Sequence, residues 1–424
     1  MADSFGATLR LIRNENGISL AAMAKKINYS KSYLSKIEND LSPPTADIAR
    51  RCDGVLGTGG TLSEMIAEQV STEAELGQGE VWVMVLDVSG TQRFHRLPRR
   101  QVLAGMGAAV GFALTGGSRP VIDEPMLAAL RSSFDHYRAL GTHSSPALVL
   151  APLVAHVNTL HGLAAESPAP VRSQLLLLAS RGAEYAGWMS QEAGDEAAAL
   201  WWTRQAVEYA VEAGDESLAS YALVRRAEIA MYHQDPFSTI DLAQRAQVDR
   251  RAGPRVLGLA ARCEAQGHAL IGDLDAYRRS IGRATALLAE RDPATGAAPV
   301  LGSASVSNEV ALAEGWSLYD LGRPAEAAER LDRHVPEIAS GALRARARFG
   351  SRRVLAHAGN GEIDHACELA REVIEDAARV DSATIRIDLR ELAKLTARWH
   401  THAAVRDLRH ELNKVLRLRT PSDT

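Results

Sequence analysis

Apolar residues recur at three- and four-residue intervals through the first sixty positions, separated by short polar segments. This spacing predicts amphipathic helices that each bury one face. A further helix is expected through Ile48 to Leu56, opened by Pro43, Pro44 and Thr45. The apolar positions that would form a small core are Leu9, Ile12, Ile18, Met23, Ile27, Leu34 and Ile37.

The segment SLAAMAKKINYSKSYLSKIE, from Ser19 to Glu38, predicts two short helices joined by a tight turn. Ser19 and Ser30 stand directly before the two helical runs, where a hydroxyl accepts hydrogen bonds from the first-turn amides. Ala24 is small, as expected where two helices cross closely, and Asn28 tolerates the positive φ that the turn requires. The spacing therefore predicts a helix-turn-helix motif.

The stretch LRLIRNENGISLAAMAKKINYSKSYLSKIEN resembles the lambda-repressor-like, xenobiotic-response-element type of bacterial transcriptional regulator. The resemblance covers roughly residues 5 to 70 and implies a five-helix DNA-binding domain over residues 1–70. One position departs from the family pattern, because Leu20 stands where the family often has a phosphate-binding Gln. The implied partner is double-stranded DNA, and the implied DNA-binding residues are Ser19, Ser30, Lys31, Ser32, Tyr33, Ser35, Lys36 and Asn39.

In such a domain the second helix of the motif lies in the major groove. Lys31, Ser32 and Tyr33 would then meet base edges, because they are the first residues of that helix. The later residues Ser35, Lys36 and Asn39 would suit phosphate contacts. The alternative is a surface helix with ordinary charges.

Composition changes this picture little. The chain has 424 residues, enough for two or three domains, and a formal net charge of −4. Residues 1–51 contain eight Lys or Arg against five Asp or Glu, a small basic excess. Cys52, Cys263 and Cys367 are far apart and in no metal or redox spacing, which favours a reducing cytoplasm and no disulfide framework.

No export leader precedes the first predicted helix, so we expect a cytoplasmic protein. No P-loop, His-Glu-x-x-His, Gly-x-Ser-x-Gly or paired-cysteine motif occurs, so we expect no enzyme activity, no cofactor and no metal site.

Residues 71–118 are expected to form a linker that contains one buried stretch at 81–86 and, at 102–114, a run of apolar and small residues. Arg99 and Arg100 before the second run are similar to a twin-arginine export signal, and the glycines of GMGAAVG mimic a dinucleotide-binding loop. The run is short for a membrane span. We favour an apolar helix packed against the second domain or a partner subunit, and expect no membrane contact.

From residue 119 to 418 the chain is rich in Ala and Leu, with turn positions at a regular interval. Gly194, His233 and Gly272 are 39 residues apart, as are Gly322 and Gly361. A fixed period predicts stacked helix pairs. The segment GWSLYDLGRPAEAAERL is similar to a tetratricopeptide repeat at its small-residue and turn positions, which are Gly315, Gly322, Ala327 and Leu331.

Stacked helix pairs curve into a superhelix whose concave groove commonly binds a peptide or protein. Arg344, Arg348 and Arg352 have a four-residue spacing, which indicates a solvated helix face or a row that holds an anion. Trp201 and Trp202, with the nearby aromatic residues, indicate core packing or groove contacts. These five residues are the candidate ligand-binding set.

The predicted fold is therefore all-α, with an N-terminal helix-turn-helix domain and a C-terminal α-solenoid of tetratricopeptide-like hairpins. This combination resembles actinobacterial one-component regulators and, more distantly, peptide-pheromone-sensing regulators. The resemblance implies a homodimer on a palindromic operator, modulated by a peptide or small-molecule effector. The alternative is an interaction scaffold with weak DNA tethering.

Overall fold

The structure is a computed structural model, and it divides into an N-terminal unit, Met1–Gly116, and a repeat unit, Gly117–Thr424. The residues that it describes are 4–27, 29, 31–39, 44, 46–65, 80–86, 92–98, 122–215, 217–248, 252–290, 301–302, 306 and 308–417.

The N-terminal unit begins with the predicted small helical domain. Its helices are α1 (Phe5–Glu15), α2 (Leu20–Ile27), α3 (Lys31–Glu38), α4 (Ala46–Leu56) and α5, which is described over residues 61–65. The predicted core is confirmed: Ile12 and Ile18 pack against its edge, and the other five predicted positions are fully or almost fully buried. Ala24 is also buried, whereas the predicted turn residue Asn28 lies outside the described residues.

A β-hairpin follows where a linker was expected. Strand β1 (Glu80–Leu86) pairs antiparallel with β2 (Gln92–Pro98), and Val83 lies opposite His95. The apolar run at 81–86 that the sequence singled out forms most of β1, and its burial stays a prediction. The run at 102–114, with its competing interpretations, lies outside the described residues.

Helical hairpins build the repeat unit. Its helices are α6 (Glu124–Gly141), α7 (Pro146–Glu166), α8 (Ala169–Ala193), α9 (Glu196–Glu212), α10 (Ser217–Tyr232), α11 (Pro236–Val248), α12 (Pro254–Leu270), α13 (Leu274–Ala289), α14 (Glu309–Asp320), α15 (Pro324–His334), α16 (Leu343–Gly359), α17 (Ile363–Val380), α18 (Ala383–Thr396) and α19 (Ala403–Arg417). The predicted all-α class with a C-terminal helical array is confirmed.

The predicted turns coincide with hairpin turns. Gly194, Gly272, Gly322 and Gly361 each have positive φ at the end of the first helix of a pair, a conformation that suits glycine. In the second hairpin the positive φ falls on Gln234, one residue after the predicted turn. The 39-residue period therefore marks real hairpins.

One helix in the described part of the chain, α7, is long and apolar enough to cross a membrane by length and composition alone. Its inward side chains, which include Leu153 and Leu160, are fully buried in the repeat unit. This packing is that of a core helix.

Candidate DNA interface and repeat-unit cavity

Helix α3 carries the charges expected of a recognition helix. Lys31, its first residue, and Lys36, more than one turn later, are both exposed. Lys25 and Lys26 at the end of α2 are exposed as well. Of the other predicted contacts, Ser30 lies outside the described residues, and nothing is described of the Ser32 side chain.

Ser19 caps α2 as the sequence predicts. Its Oγ accepts a hydrogen bond from the Ala22 amide at 3.2 Å, and its carbonyl accepts from Met23 at 2.9 Å. Tyr33 is half-buried, and its ring stacks on Tyr29 with centroids 5.8 Å apart. Tyr33 therefore contributes to packing at the domain edge, in addition to any contact with a base.

Asn39 and Ser35 already bond to each other. The Asn39 Nδ2 donates to the Ser35 carbonyl at 2.7 Å, and its Oδ1 accepts from Arg10. A phosphate contact through Asn39 would therefore compete with these bonds. Its predicted role in DNA binding stays a prediction.

A buried ion pair, which the sequence analysis missed, holds α3 against α1. Arg13 donates to Glu38 through Nε at 2.5 Å and through Nη2 at 2.9 Å, and both side chains are buried. Arg13 Nη1 also donates to the Ile18 carbonyl at 2.8 Å. The only sequence signal for this ion pair was that Arg13 in α1 and Glu38 in α3 are charged residues at positions that face the core.

Asp53, also missed, ties the end of α4 to the start of α5. Its carboxylate accepts hydrogen bonds from the amides of Leu62 and Ser63, both at 2.9 Å, and from the hydroxyls of Ser63 and Thr58. Burial alone would raise the pKa of Asp53, but these hydrogen bonds outweigh burial and lower it.

The repeat unit contains a partly open cavity of about 410 Å³. The first helices of the five hairpins, α8, α10, α12, α14 and α16, line it together with α6. Its polar wall residues are Asp135, Arg138, Thr142, Glu184, Gln191, Arg225, Glu228, Arg262, Gln266, Glu309, Arg344 and Arg348, and its aromatic wall residues are Tyr185, Trp188, Tyr221, Tyr232, Trp316 and Phe349.

A buried charge network closes one side of this cavity. Glu192 is fully buried and accepts from Arg344 Nη1 at 2.7 Å, Arg348 Nη2 at 2.5 Å and the Thr384 hydroxyl at 2.8 Å. Burial alone would raise the pKa of Glu192, but the two arginines lower it to about 2. These bonds join α8 to α16 and α18, so they close the cavity on this side, while the cavity as a whole stays partly open to solvent.

The expectation that the arginine row faces solvent was wrong. Arg344 is 2% exposed, and its remaining donors reach the carbonyls of Gly141, Ser144 and Val380. A guanidinium can be buried in this way because one carboxylate and three carbonyl oxygens accept from four of its five donors.

Arg352, the third member of the row, lies away from the cavity wall. It is 5% exposed, pairs with Asp388 through Nη2 at 2.7 Å and lies 3.6 Å from Asp320. Its guanidinium stacks 3.8 Å above the Trp316 ring. Burial raises the pKa of Asp320 to about 6, against the effect of Arg352. Arg352 therefore packs against the wall residue Trp316 without lining the cavity itself.

Trp201 and Trp202 pack in the helical core and do not line the cavity. Their rings meet edge to face with centroids 4.6 Å apart, and they are 8% and 4% exposed. The prediction that these two tryptophans pack in the core was therefore the correct one of the two alternatives. Trp188 and Trp316 supply the tryptophans of the cavity instead.

Within the described residues, no group of three or more His, Cys, Asp or Glu could hold a metal ion. Cys52, Cys263 and Cys367 are free and buried. Burial raises the pKa of both Cys52 and Cys263 to about 12.

Comparison with known proteins identifies the N-terminal unit. A family described as a helix-turn-helix domain matches residues 4–65. The HTH-type transcriptional regulator RamB of Mycobacterium tuberculosis, in two strains, is 41% identical over 57 residues. This match covers 13% of the present chain and 12% of RamB, so the chain spans about an eighth of the length of these relatives.

Among solved structures, the chain has a TM-score of 0.34 and 9% identity to Bacillus thuringiensis PlcR in complex with the peptide PapR7 and DNA. The alignment covers 98% of this chain and 95% of PlcR. At that TM-score the likeness carries no argument about this protein. The match to residues 4–65, together with the geometry of α2 and α3, shows that the chain begins with a helix-turn-helix domain.

Proposed function

We propose that this protein is a cytoplasmic, sequence-specific transcriptional regulator of the actinobacterial type. It binds a palindromic operator as a homodimer, and an effector in the repeat-unit cavity modulates the binding. The observation that carries the proposal is the exposed Lys31 at the start of α3, in a domain that matches a helix-turn-helix family.

Base recognition would rest on the first turn of α3. In helix-turn-helix proteins the N-terminal residues of this helix meet base edges in the major groove. Lys31 can reach O6 and N7 of guanine, whereas Lys36 lies further along and suits a phosphate. The Arg13–Glu38 pair holds α3 at a fixed angle to α1, which keeps the recognition helix in register.

A homodimer would place two copies of α3 about 34 Å apart, one turn of DNA. An effector that favours one of two arrangements of the repeat unit by a few kcal/mol would change that spacing and hence DNA affinity. The cavity supports this part of the proposal, since it has the size of a small-molecule site.

The test compares three lysine variants of the full chain in DNA binding. Lys31→Ala should cost about 1–3 kcal/mol on the preferred sequence and relax preference at one base pair. Lys36→Ala should weaken all sequences alike and reduce the salt slope by about one. Lys394→Ala, which removes an exposed lysine of the repeat unit, is the matched control and should change nothing.

If neither Lys31→Ala nor Lys36→Ala altered DNA binding, α3 would not be a recognition helix. The protein would then act as an interaction scaffold.

A further inference from the structure

We propose that the cavity binds a carboxylate that is attached to an aromatic ring system. This proposal names the ligand class of the effector site, and its regulatory meaning rests on the proposed function. Three features of the described wall lead to this class. They are an uncompensated positive charge at a pair of arginines, one guanidinium without an ion pair, and an aromatic lining.

Two glutamates of the cavity region are each shared by two arginines. Glu228, which is partly buried, accepts from Arg225 and from Arg262, the latter at 2.6 Å. Glu192, which is fully buried, is shared in the same way by Arg344 and Arg348. The Glu192 group carries one negative and two positive charges, so it leaves one positive charge uncompensated.

The other acids of the wall have arginine partners or lie at its exposed edge. Glu309 lies 3.7 Å from Arg255, and Asp135 is exposed. Glu184 is partly buried, accepts from the Tyr221 hydroxyl at 3.2 Å and lies 3.8 Å from Arg225, so it compensates the second arginine of the Glu228 group. The surplus positive charge therefore lies at the Glu192 group and at Arg138, which favours an anion over a cation.

Arg138 supplies a positive charge without an ion pair. It is half-buried on the cavity wall, and its guanidinium lies 5.9 Å from the Phe134 ring centroid. Within the described residues this guanidinium has neither a hydrogen bond nor an ion pair. Its own carbonyl accepts from the Tyr185 hydroxyl at 3.2 Å, which holds its backbone beside α8. Guanidinium groups bind carboxylates through two parallel hydrogen bonds, so Arg138 suits a carboxylate ligand.

Aromatic rings complete the site. The Arg348 guanidinium lies 5.9 Å from the ring centroids of both Trp188 and Tyr232, and Trp316 and Phe349 also line the cavity. Flat faces of this kind pack against flat apolar ligands. The volume of about 410 Å³ lies within the range of small-molecule sites, about 300–1,000 Å³.

Matched pairs of probes test the chemistry. Binding of 2-naphthoate and indole-3-acetate to the full chain would be measured by calorimetry beside the neutral amides of the same acids. A short peptide that ends in phenylalanine, with a free or an amidated C-terminus, distinguishes a peptide from a free small acid. We expect the carboxylates to bind at least about tenfold more tightly than the amides.

Variants test the site. Arg138→Gln should weaken carboxylate binding by on the order of 10- to 100-fold and leave the fold intact, since Arg138 has no ion pair to lose. Arg348→Lys, which keeps the charge, should retain more binding than Arg348→Gln. Arg278→Gln changes an exposed arginine of α13 and should have no effect.

Equal affinity for acids and amides, or unchanged binding by Arg138→Gln and Arg348→Gln, would overturn the proposal, and so would a complete lack of binding by both series. Carboxylate binding without any change in DNA affinity would leave this ligand class standing and remove the effector part of the proposed function.

Discussion

Replacing Glu192 by glutamine should lower the stability of the repeat unit more than any comparable surface change. The variant keeps the volume of the side chain but removes the charge that holds Arg344, Arg348 and Thr384. Because Glu192 is fully buried, water cannot replace it as a partner of the two arginines. Breaking a buried ion pair on one side costs about 3–5 kcal/mol.

The lowered pKa of Glu192 corresponds to a similar contribution to the free energy of unfolding. A carboxyl whose pKa falls from 4.5 to about 2 on folding contributes about 3 kcal/mol, at roughly 1.4 kcal/mol per pH unit. The folded pKa is the lower one, so this contribution is complete above about pH 4.5 and is lost as the pH falls toward 2. The difference between wild type and Glu192→Gln should therefore be largest near pH 7 and should narrow below pH 4.5.

Urea unfolding of the full chain, followed by tryptophan fluorescence, measures this difference. Five of the six tryptophans lie in the repeat unit, so the signal reports mainly on it. Glu212→Gln is the matched control, because Glu212 also pairs with an arginine, Arg172, but both side chains are more than 40% exposed. The control should cost under about 1 kcal/mol. An equal loss in the two variants would refute the reasoning.

Two further predictions follow, one on packing in the repeat unit with its control and one on the ion pair of the N-terminal unit. Gly315→Ala should cost about 1–3 kcal/mol, because the added Cβ would lie 2.6 Å from Leu331 Cγ. Gly282→Ala, where the Cβ meets nothing within 4 Å, should be neutral or stabilising in thermal unfolding. Arg13→Met should destabilise the N-terminal unit by about 3 kcal/mol, because Glu38 would keep only the half-exposed Arg10, at 3.6 Å, as an ion-pair partner. The loss should be seen as faster amide exchange over residues 5–38. Unchanged exchange there would mean that the ion pair does not position α3.

The sequence predicted features that depend on local spacing. The core positions of α1 to α4 follow from helical periodicity, and the hairpin turns at Gly194, Gly272, Gly322 and Gly361 follow from a fixed interval. Both patterns act within a few tens of residues, which is the range that periodicity covers.

The cavity depends on contacts that no local pattern records. Arg344 reaches Glu192 across 152 positions and the Gly141 carbonyl across 203. A four-residue spacing of arginines is the same on a solvated helix and on a buried one, so only the partners distinguish the two. For the same reason Trp201 and Trp202 could not be separated by sequence from Trp188, although only Trp188 lines the cavity.

The most direct test of the central claim is selection of bound fragments from sheared genomic DNA by the purified full-length protein, with Lys31→Ala as the control. We predict that wild type enriches an inverted repeat with half-sites about one helical turn apart and that Lys31→Ala does not. Equal fragment profiles from the two proteins, with no shared motif, would contradict the assignment of α3 as a sequence-reading helix.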